Sequence, residues 1–596
     1  MLFKAFIYGL GLYAIYHFAQ SGGLLNIGGG SIGFGASKSH WAGVQAEVRQ
    51  AMLDSWHTYE KYGWGYDVYH PIKQTGENMG KRPLGWMIVD SLDTLMLMDA
   101  KEEVNRAKKW IKEDLDYVFD QDVNVFETTI RMLGGLLSAF HLSQDDVYLD
   151  KAVHLANLLH GAYKSPSGIP YASVNLETGD GIKNHVNAGA SSTAEAGTVQ
   201  LEMKYLAKLT GEADWWQLAE KVMQALEANK ARDGLVPIFV NPETGKFQGS
   251  YIRLGSRGDS YYEYLLKQYL QTNSQELIYW EMYRESVEGV KKHLVKESYP
   301  NKLKFIGELE KGIGGGLSNK MDHLVCFYGG LLALGATEGK TIQEARKLPN
   351  WNEEREADFK LGEDLTYTCY KMYHDVPATG LSPEIVVFNT DPSKNEDFYI
   401  KPRDRHNLQR PETVESLFYL YRITGDNKYR KWGEEIFENF MKYTKVVNLD
   451  GEVSFSSLQD VSQVNKDKVA KFADNTESFW WAETLKYLYL LFDDTNKIPL
   501  TDYVFNTEAH PFPKFDLSDH LKTGWRRKID ENQPPRMLES KVKIDKQKLP
   551  EAQPVNKPLE EEAKEAVKEN PELAKDENID EKREKLNKII ENLDKN

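Results

Sequence analysis

The sequence predicts an all-α fold of paired helices, and three observations predict it. Between about residues 40 and 517 one pattern recurs, an apolar helix, a short polar turn and then a charged amphipathic helix. Seven such turns are visible, among them LAKLTGEADWW, LLALGATEGKT and LYRITGDNKYR, at a loose spacing of about 65 residues that leaves room for two helices and two loops per unit. Long alternating β-branched runs are scarce, so helices must bury their apolar faces against other helices. The pattern suits a closed ring of inner and outer helices, an α/α barrel, and equally an open solenoid.

The chain divides into four expected regions. Residues 1–20 hold Lys4 and then a nearly uncharged run over 5–18, near the lower limit for a membrane-spanning helix. A glycine-rich stretch over 21–39, including Gly22, Gly28 and Gly33, suits a flexible tether better than a signal-peptidase site. The expectation is therefore an uncleaved type II anchor with the remaining chain in a lumen. Over 40–517, apolar residues at helical spacing mark the inner helices: Ile130, Leu133, Gly134 and Leu137; Tyr262, Leu265, Leu266 and Tyr269; Val414, Leu417, Phe418 and Tyr421; Leu485, Leu488, Tyr489 and Phe492. The second helices, such as AEKVMQALEANK and WGEEIFENFMKY, mix charge with apolar residues as a half-solvated outer layer would. Gly134-Gly135 and Gly329-Gly330 fall inside helices, where close helix packing explains them. Residues 518–596 turn to Lys, Glu, Asp, Asn and Pro, have no aromatic residue after Trp525, and are expected to form a charged, disordered tail.

Composition removes several function classes. There are 74 basic and 90 acidic residues, a net charge of −16, which repels a phosphate backbone and argues against nucleic acid as a partner. Two cysteines are too few for a disulfide scaffold or a thiolate zinc cluster; one bridge between Cys326 and Cys369 stays open. The chain has no HExxH helix, no GxSxG elbow and no phosphate-cradling glycine loop.

What it has is a polar group near the start of each inner helix: Asp90 and Asp93, Glu127, Glu195, Asp259, Asp322 with His323, Glu412 with Glu415, and Glu477 with Glu483. A carboxylate in a first turn can simply cap the helix and favour its dipole. Capping does not explain the company of Arg131, Arg257, Arg410, His323 and Phe479. Acids, arginines and an aromatic ring together describe a polyol pocket, since carboxylates accept hydroxyl hydrogen bonds and arginines hold the acids ionised. Glycosidic cleavage needs an acid on the leaving oxygen and a base or nucleophile on the other face of the ring, commonly two carboxyl groups.

In order along the chain, WHTYEKYGWGYDVYHP, GWMIVDSLDTL, VFETTIRMLGGLLSA, GSRGDSYYEYLLK, MDHLVCFYGG, GLSPEIVVFN, RPETVESLFYLYRITGD and FNTEAHP make the chain resemble glycoside hydrolase family 47, the class I α-1,2-mannosidases, over about residues 40–515. The resemblance implies an (α/α)7 barrel that trims terminal α-1,2-linked mannose from high-mannose N-glycans with inversion, using a calcium ion at the base of its pocket. It implies Glu127 as a general acid, direct or through water, with Asp259 the competing acid, and Glu412 as the general base. Arg131, Glu195, His323, Glu384, Arg410, Glu415, Phe479 and Glu483 would line the mannose pocket, and Thr507 would bind calcium through oxygen, as a hard cation prefers. Arg257 points to the endoplasmic reticulum branch, which takes nine-mannose to eight-mannose glycans in glycoprotein processing and quality control, because Golgi relatives usually carry a smaller apolar residue there. The alternatives are a Golgi-type mannosidase and a glycan-binding degradation receptor with little turnover; Arg257 opposes the first, and the presence of all three acids the second. The family's disulfide matches Cys326 and Cys369, consistent with an oxidising lumen. The expected working unit is a monomer on the endoplasmic reticulum membrane.

Overall fold

The computed structural model describes residues 40–527, together with the backbone of a short strand pair, Leu25–Ile27 and Gly30–Ile32. The anchor expected at residues 1–20 and the chain beyond residue 527 lie outside the described residues. Among the described residues no helix is long and apolar enough to cross a membrane.

Fourteen helices of seven residues or more carry the described fold: α1 (His40–Tyr62), α2 (Trp86–Leu97), α3 (Lys101–Glu113), α4 (Gly134–Ser143), α5 (Asp146–Leu159), α6 (Gln200–Thr210), α7 (Ala213–Glu227), α8 (Asp259–Gln271), α9 (Leu277–His293), α10 (Phe327–Thr337), α11 (Glu353–His374), α12 (Glu412–Thr424), α13 (Asn427–Tyr443) and α14 (Leu485–Leu491). They sort into two layers by burial. Every residue of α10 is buried, as is every residue of α8 after Asp259. In α3 and α13, by contrast, one apolar face is buried, anchored by Trp110 and Ile111 or by Ile436, Phe437 and Phe440, while the charged face meets solvent.

The inner helices touch in chain order: α2 packs on α4, α4 on α6, α6 on α8, α8 on α10, α10 on α12 and α12 on α14. The π-helical turn Trp480–Thr484 that leads into α14 packs back on α2, so the series returns to its start. Each inner helix also has an outer partner, α2 with α3, α4 with α5, α6 with α7, α8 with α9, α10 with α11 and α12 with α13. The seventh pair differs from the sequence expectation. Among the described residues no charged helix follows the turn after α14; its outer partner is α1, from the beginning of the described region. Trp56 of α1 meets Trp481 edge to face with ring centroids 5.4 Å apart.

The paired glycines set the inner spacing. A Cβ at Gly135 would lie 2.6 Å from the Val89 carbonyl oxygen, and one at Gly329 2.3 Å from Thr366 Oγ1, so α4 approaches α2, and α10 approaches α11, more closely than any side chain allows. Cys326, just before α10, and Cys369 in α11 form a disulfide with Cα atoms 5.8 Å apart. Short strands fill the loops. A three-stranded antiparallel sheet of β1 (Lys320–Asp322), β2 (Ile385–Phe388) and β3 (Phe398–Tyr399) leads into the residues before α10, and a hairpin of β4 (Tyr503–Phe505) and β5 (Pro511–Pro513) packs against α8 and α4.

Residues 518–527, which composition assigns to the charged tail, are folded onto the outer layer. Leu521 is buried, Thr523 donates to Glu276, Trp525 Nε1 donates to Glu220 at 2.8 Å, and Arg527 pairs with Glu227 and Glu285.

Candidate active site

The starts of the inner helices surround one cavity of about 290 Å³. It is lined by Glu127, Arg131, Glu195, Arg257, Asp259, Arg410, Glu412, Glu415, Phe479, Glu483 and Thr507, so eleven of the expected residues meet in one place. His323 and Glu384 do not line it. They stand one layer behind, His323 with Nδ1 2.8 Å from Glu412 Oε2, and Glu384 taking the Arg410 Nε donor at 2.8 and 2.9 Å on its two oxygens. Glu263, Glu508, Leu324 and Phe327 also line the cavity and were not singled out from the sequence. Glu263 could have been, since it sits four residues after Asp259 and hence on the same face of α8.

Local backbone explains how each group arrives. Asp259 and Glu412 are the first residues of α8 and α12. Glu127 sits in a one-turn helix whose N-cap, Asn124, accepts the Glu127 N–H at 2.9 Å; the Asn124 amide also donates to Glu195 at 2.9 Å. Ser192 and Glu195 cap each other reciprocally, at 3.1 and 2.9 Å. Arg131 and Glu483 lie within π-helical turns, Thr128–Leu133 and Trp480–Thr484, whose wider winding alters the face presented to the cavity. Asp90 and Asp93 fall inside α2 rather than ahead of it, and form a buried floor with His510, which lies 3.2 Å from Asp90 and 2.8 Å from Asp93. Lys486 completes this floor at 2.8 Å from Asp93.

Arg131 ties floor to cavity. It donates to Glu127 at 2.9 Å, to Asp90 at 3.2 Å and to Glu508, with the rings of Trp86 and Phe479 at 5.3 and 5.7 Å from its guanidinium. Thr507 is in the turn between β4 and β5. Asn506 holds that turn by accepting the N–H groups of Glu508 and His510 at 2.9 and 2.8 Å, and by donating to the Ile130 carbonyl at 3.0 Å.

Electrostatics divides the two acids that open α8 and α12. Burial pushes Asp259 up to about 7, with Glu263 and Glu412 adding to the rise against the Ser260 N–H. Burial also works to raise Glu412, but the hydrogen bond and charge of His323, helped by Arg410, outweigh it and hold that carboxyl below the usual range. At neutral pH one cavity thus offers a carboxyl that can give a proton and a carboxylate that can take one. Burial raises Glu415 to about 8, and raises Glu483 and Glu508 well above ordinary values, the latter despite Arg131 and because Glu483, Asp90 and Glu127 lie near. This part of the cavity crowds together more carboxyl groups than Arg131 and Lys267 can keep ionised. Among the described residues no three His, Cys, Asp or Glu side chains converge to hold a metal ion by themselves. Glu263, Glu415, Glu483 and Glu508 nevertheless bring carboxyl oxygens to the same cavity as Thr507, a lining that would fit a hard cation held through Thr507 and water.

A ring of helix starts enclosing two carboxyl groups of opposed acidity, with arginines and a ring face, is an arrangement that suits a glycoside hydrolase. The chain matches glycosyl hydrolase family 47 over residues 51–514 and belongs to that family. It is 75% identical over 571 residues to a mannosyl-oligosaccharide 1,2-alpha-mannosidase of Candida albicans, covering 96% of this chain and 100% of that one. It is 51% identical to the endoplasmic reticulum mannosyl-oligosaccharide 1,2-alpha-mannosidase of Saccharomyces cerevisiae, covering 82% of this chain and 94% of that one. The solved alpha-1,2-mannosidase from Trichoderma reesei superimposes with a TM-score of 0.69 at 28% identity, over 79% of this chain and 99% of that one.

Proposed function

We propose that this chain is an inverting exo-α-1,2-mannosidase of the endoplasmic reticulum that removes terminal α-1,2-linked mannose from high-mannose N-glycans, chiefly converting the nine-mannose to the eight-mannose form. The observation that carries the mechanism is the opposed acidity of Asp259 and Glu412 in a single cavity. Asp259 gives its proton to the glycosidic oxygen as the bond from that oxygen to the anomeric carbon breaks. Glu412 takes a proton from the water that attacks the opposite face, so the first product is β-mannose and both carboxyl groups are restored by proton exchange with solvent. Glu127 has one oxygen engaged by Arg131, and orders water at the leaving-group side. Glu195, Arg410, Glu415 and Glu483 bind sugar hydroxyls, Phe479 offers its ring to the sugar's C–H face, and Arg257 contacts mannose units beyond the one cleaved. His323 and Glu384 orient Glu412 and Arg410 from behind.

Thr507, with water, would hold a calcium ion, which would supply a fixed positive charge at the base of the cavity to orient sugar oxygens. Seven helix pairs form the (α/α)7 barrel, and residues 1–20 anchor it with the catalytic unit in the lumen. The test is release of free mannose from a nine-mannose N-glycan, followed by proton NMR of the newborn sugar. Expected are β-mannose, loss of turnover on chelation with recovery on adding calcium, and a kcat lower by roughly 10²- to 10⁴-fold in Glu412→Gln. Full activity after either treatment, or α-mannose as first product, rules the mechanism out.

A further inference from the structure

The loop that enters α8 carries Arg257 with φ of 75°, in the left-handed region that a residue with a side chain adopts only when its surroundings impose it. Two side chains impose it by taking both polar groups of one peptide neighbour. Arg253 Nε donates to the Ser256 carbonyl at 2.6 Å, and Asp322 Oδ2 accepts the Ser256 N–H at 3.3 Å. The loop closes on itself through the N–H groups of Gly258 and Asp259, both 3.0 Å from the Gly255 carbonyl, while Ala194 N–H holds the Arg257 carbonyl at 2.9 Å. A Cβ at Gly255 would meet Asp322 Oδ2 at 2.4 Å, so the clamp also requires the bare backbone there.

The clamp is itself braced. Arg253 Nη1 lies 3.9 Å from both Glu308 and Asp322, and its guanidinium 5.2 Å from the Tyr251 ring. Tyr251 donates to Glu308 at 2.6 Å, and Lys320 bridges Glu308 and Asp322 at 3.0 and 2.8 Å. None of Tyr251, Arg253, Glu308, Lys320 and Asp322 lines the cavity, whereas Ser256 and Arg257 do.

We infer that Arg253 and Asp322, braced by Glu308 and Lys320, are positioning residues for glycan-arm selection: they fix the Ser256–Arg257 turn, and through it which branch of the oligosaccharide the enzyme trims. The inference rests on the reading of Arg257 as a contact for mannose units beyond the cleaved one. Selection among arms is a difference between near-equal binding modes, so small displacements of a long guanidinium change it. Hydrolysis of a bare disaccharide does not need that contact.

The experiment uses the full-length chain and its Arg253→Lys, Glu308→Gln and Arg257→Ala variants. Lysine keeps the positive charge near Asp259 but lacks the guanidinium Nε donor. Each is given a nine-mannose N-glycan, with chromatographic separation of the eight-mannose isomers, and an α-1,2-linked mannobiose for kcat and KM. Arg253→Lys is expected to lower the ratio of major to minor isomers by at least about fivefold, with mannobiose kcat within about twofold of the parent, and Arg257→Ala to shift the same ratio. Glu308→Gln serves as a second probe of the clamp should Arg253→Lys fail to fold. If Arg257→Ala shifts the isomers while both clamp variants leave them as in the parent, the inference is overturned and the reading of Arg257 stands. If Arg257→Ala leaves the isomer ratio unchanged, that reading fails and takes the inference with it. A fall in mannobiose kcat equal to the loss on the glycan also overturns it, because the clamp would then act on catalysis.

Discussion

At the scale of the residue, the proposed mechanism turns on the asymmetry between Asp259 and Glu412, and His323 is the side chain that creates half of it. Its Nδ1 meets Glu412 at 2.8 Å while Nε2 faces Tyr373 and Thr413 at 3.0 and 2.9 Å, so the ring is fixed on both sides. Removing that ring leaves burial to act on Glu412 with less opposition, and the carboxyl's pKa rises. A base works only when ionised, so His323→Leu is expected to move the acidic limb of the kcat/KM profile to higher pH, and to lower the rate most at acidic pH. An acidic limb that stays in place assigns the depression of Glu412 to other groups. His323 was legible in the sequence as a polar residue beside an inner helix start; its place behind Glu412 rather than on the cavity wall was not, because spacing along the chain gives no depth.

At the scale of the element, the helix starts were legible and their winding was not. Asp259, Glu412 and Glu195 stand in first turns, as their distances from the following turns imply, but the π-helical turns at Thr128–Leu133 and Trp480–Thr484 leave no mark on a 3.6-residue pattern. The glycine pairs were legible for a simple reason: an apolar helix that spends a residue of poor helix propensity gains something by it, here the approach of α4 to α2. Gly135→Ala puts a methyl group 2.6 Å from the Val89 carbonyl oxygen, and backbone cannot yield as a side chain can. Urea unfolding is expected to show a loss of about 1–3 kcal/mol; an unchanged midpoint would mean the two helices part at little cost.

At the scale of the whole molecule, a chain-order reading gave six helix pairs correctly and mispaired the seventh, because the outer partner of α14 comes from α1, more than 400 residues earlier. The same limit hid the strap at residues 518–527. Its charged composition resembles a tail, yet its partners include a carboxylate already out of water: Glu276 is pushed up to about 7 by burial, against the pull of Lys204. Ending the chain at residue 517 strips Glu276, Glu220, Glu227 and Glu285 of Thr523, Trp525 and Arg527. Arg527 and its partners are only partly withdrawn from water, and losing its pairs with the Thr523 and Trp525 hydrogen bonds costs about 1–3 kcal/mol, so a 40–517 fragment is expected to melt several degrees below a 40–528 fragment, and equal melting temperatures would make the strap ornamental. The ring as a whole brings Asp259 on α8 and Glu412 on α12 into one cavity, and the pH dependence of kcat/KM on a nine-mannose glycan tests most directly the proposal that they act there as acid and base. Asp259 is protonated below about 7 and loses its proton as the pH rises through that value, so the wild-type rate falls on the alkaline side near there. Asp259→Asn is expected to lose about 10²- to 10⁴-fold in rate and to keep no alkaline limb; an alkaline limb that persists unchanged in that variant would contradict the account.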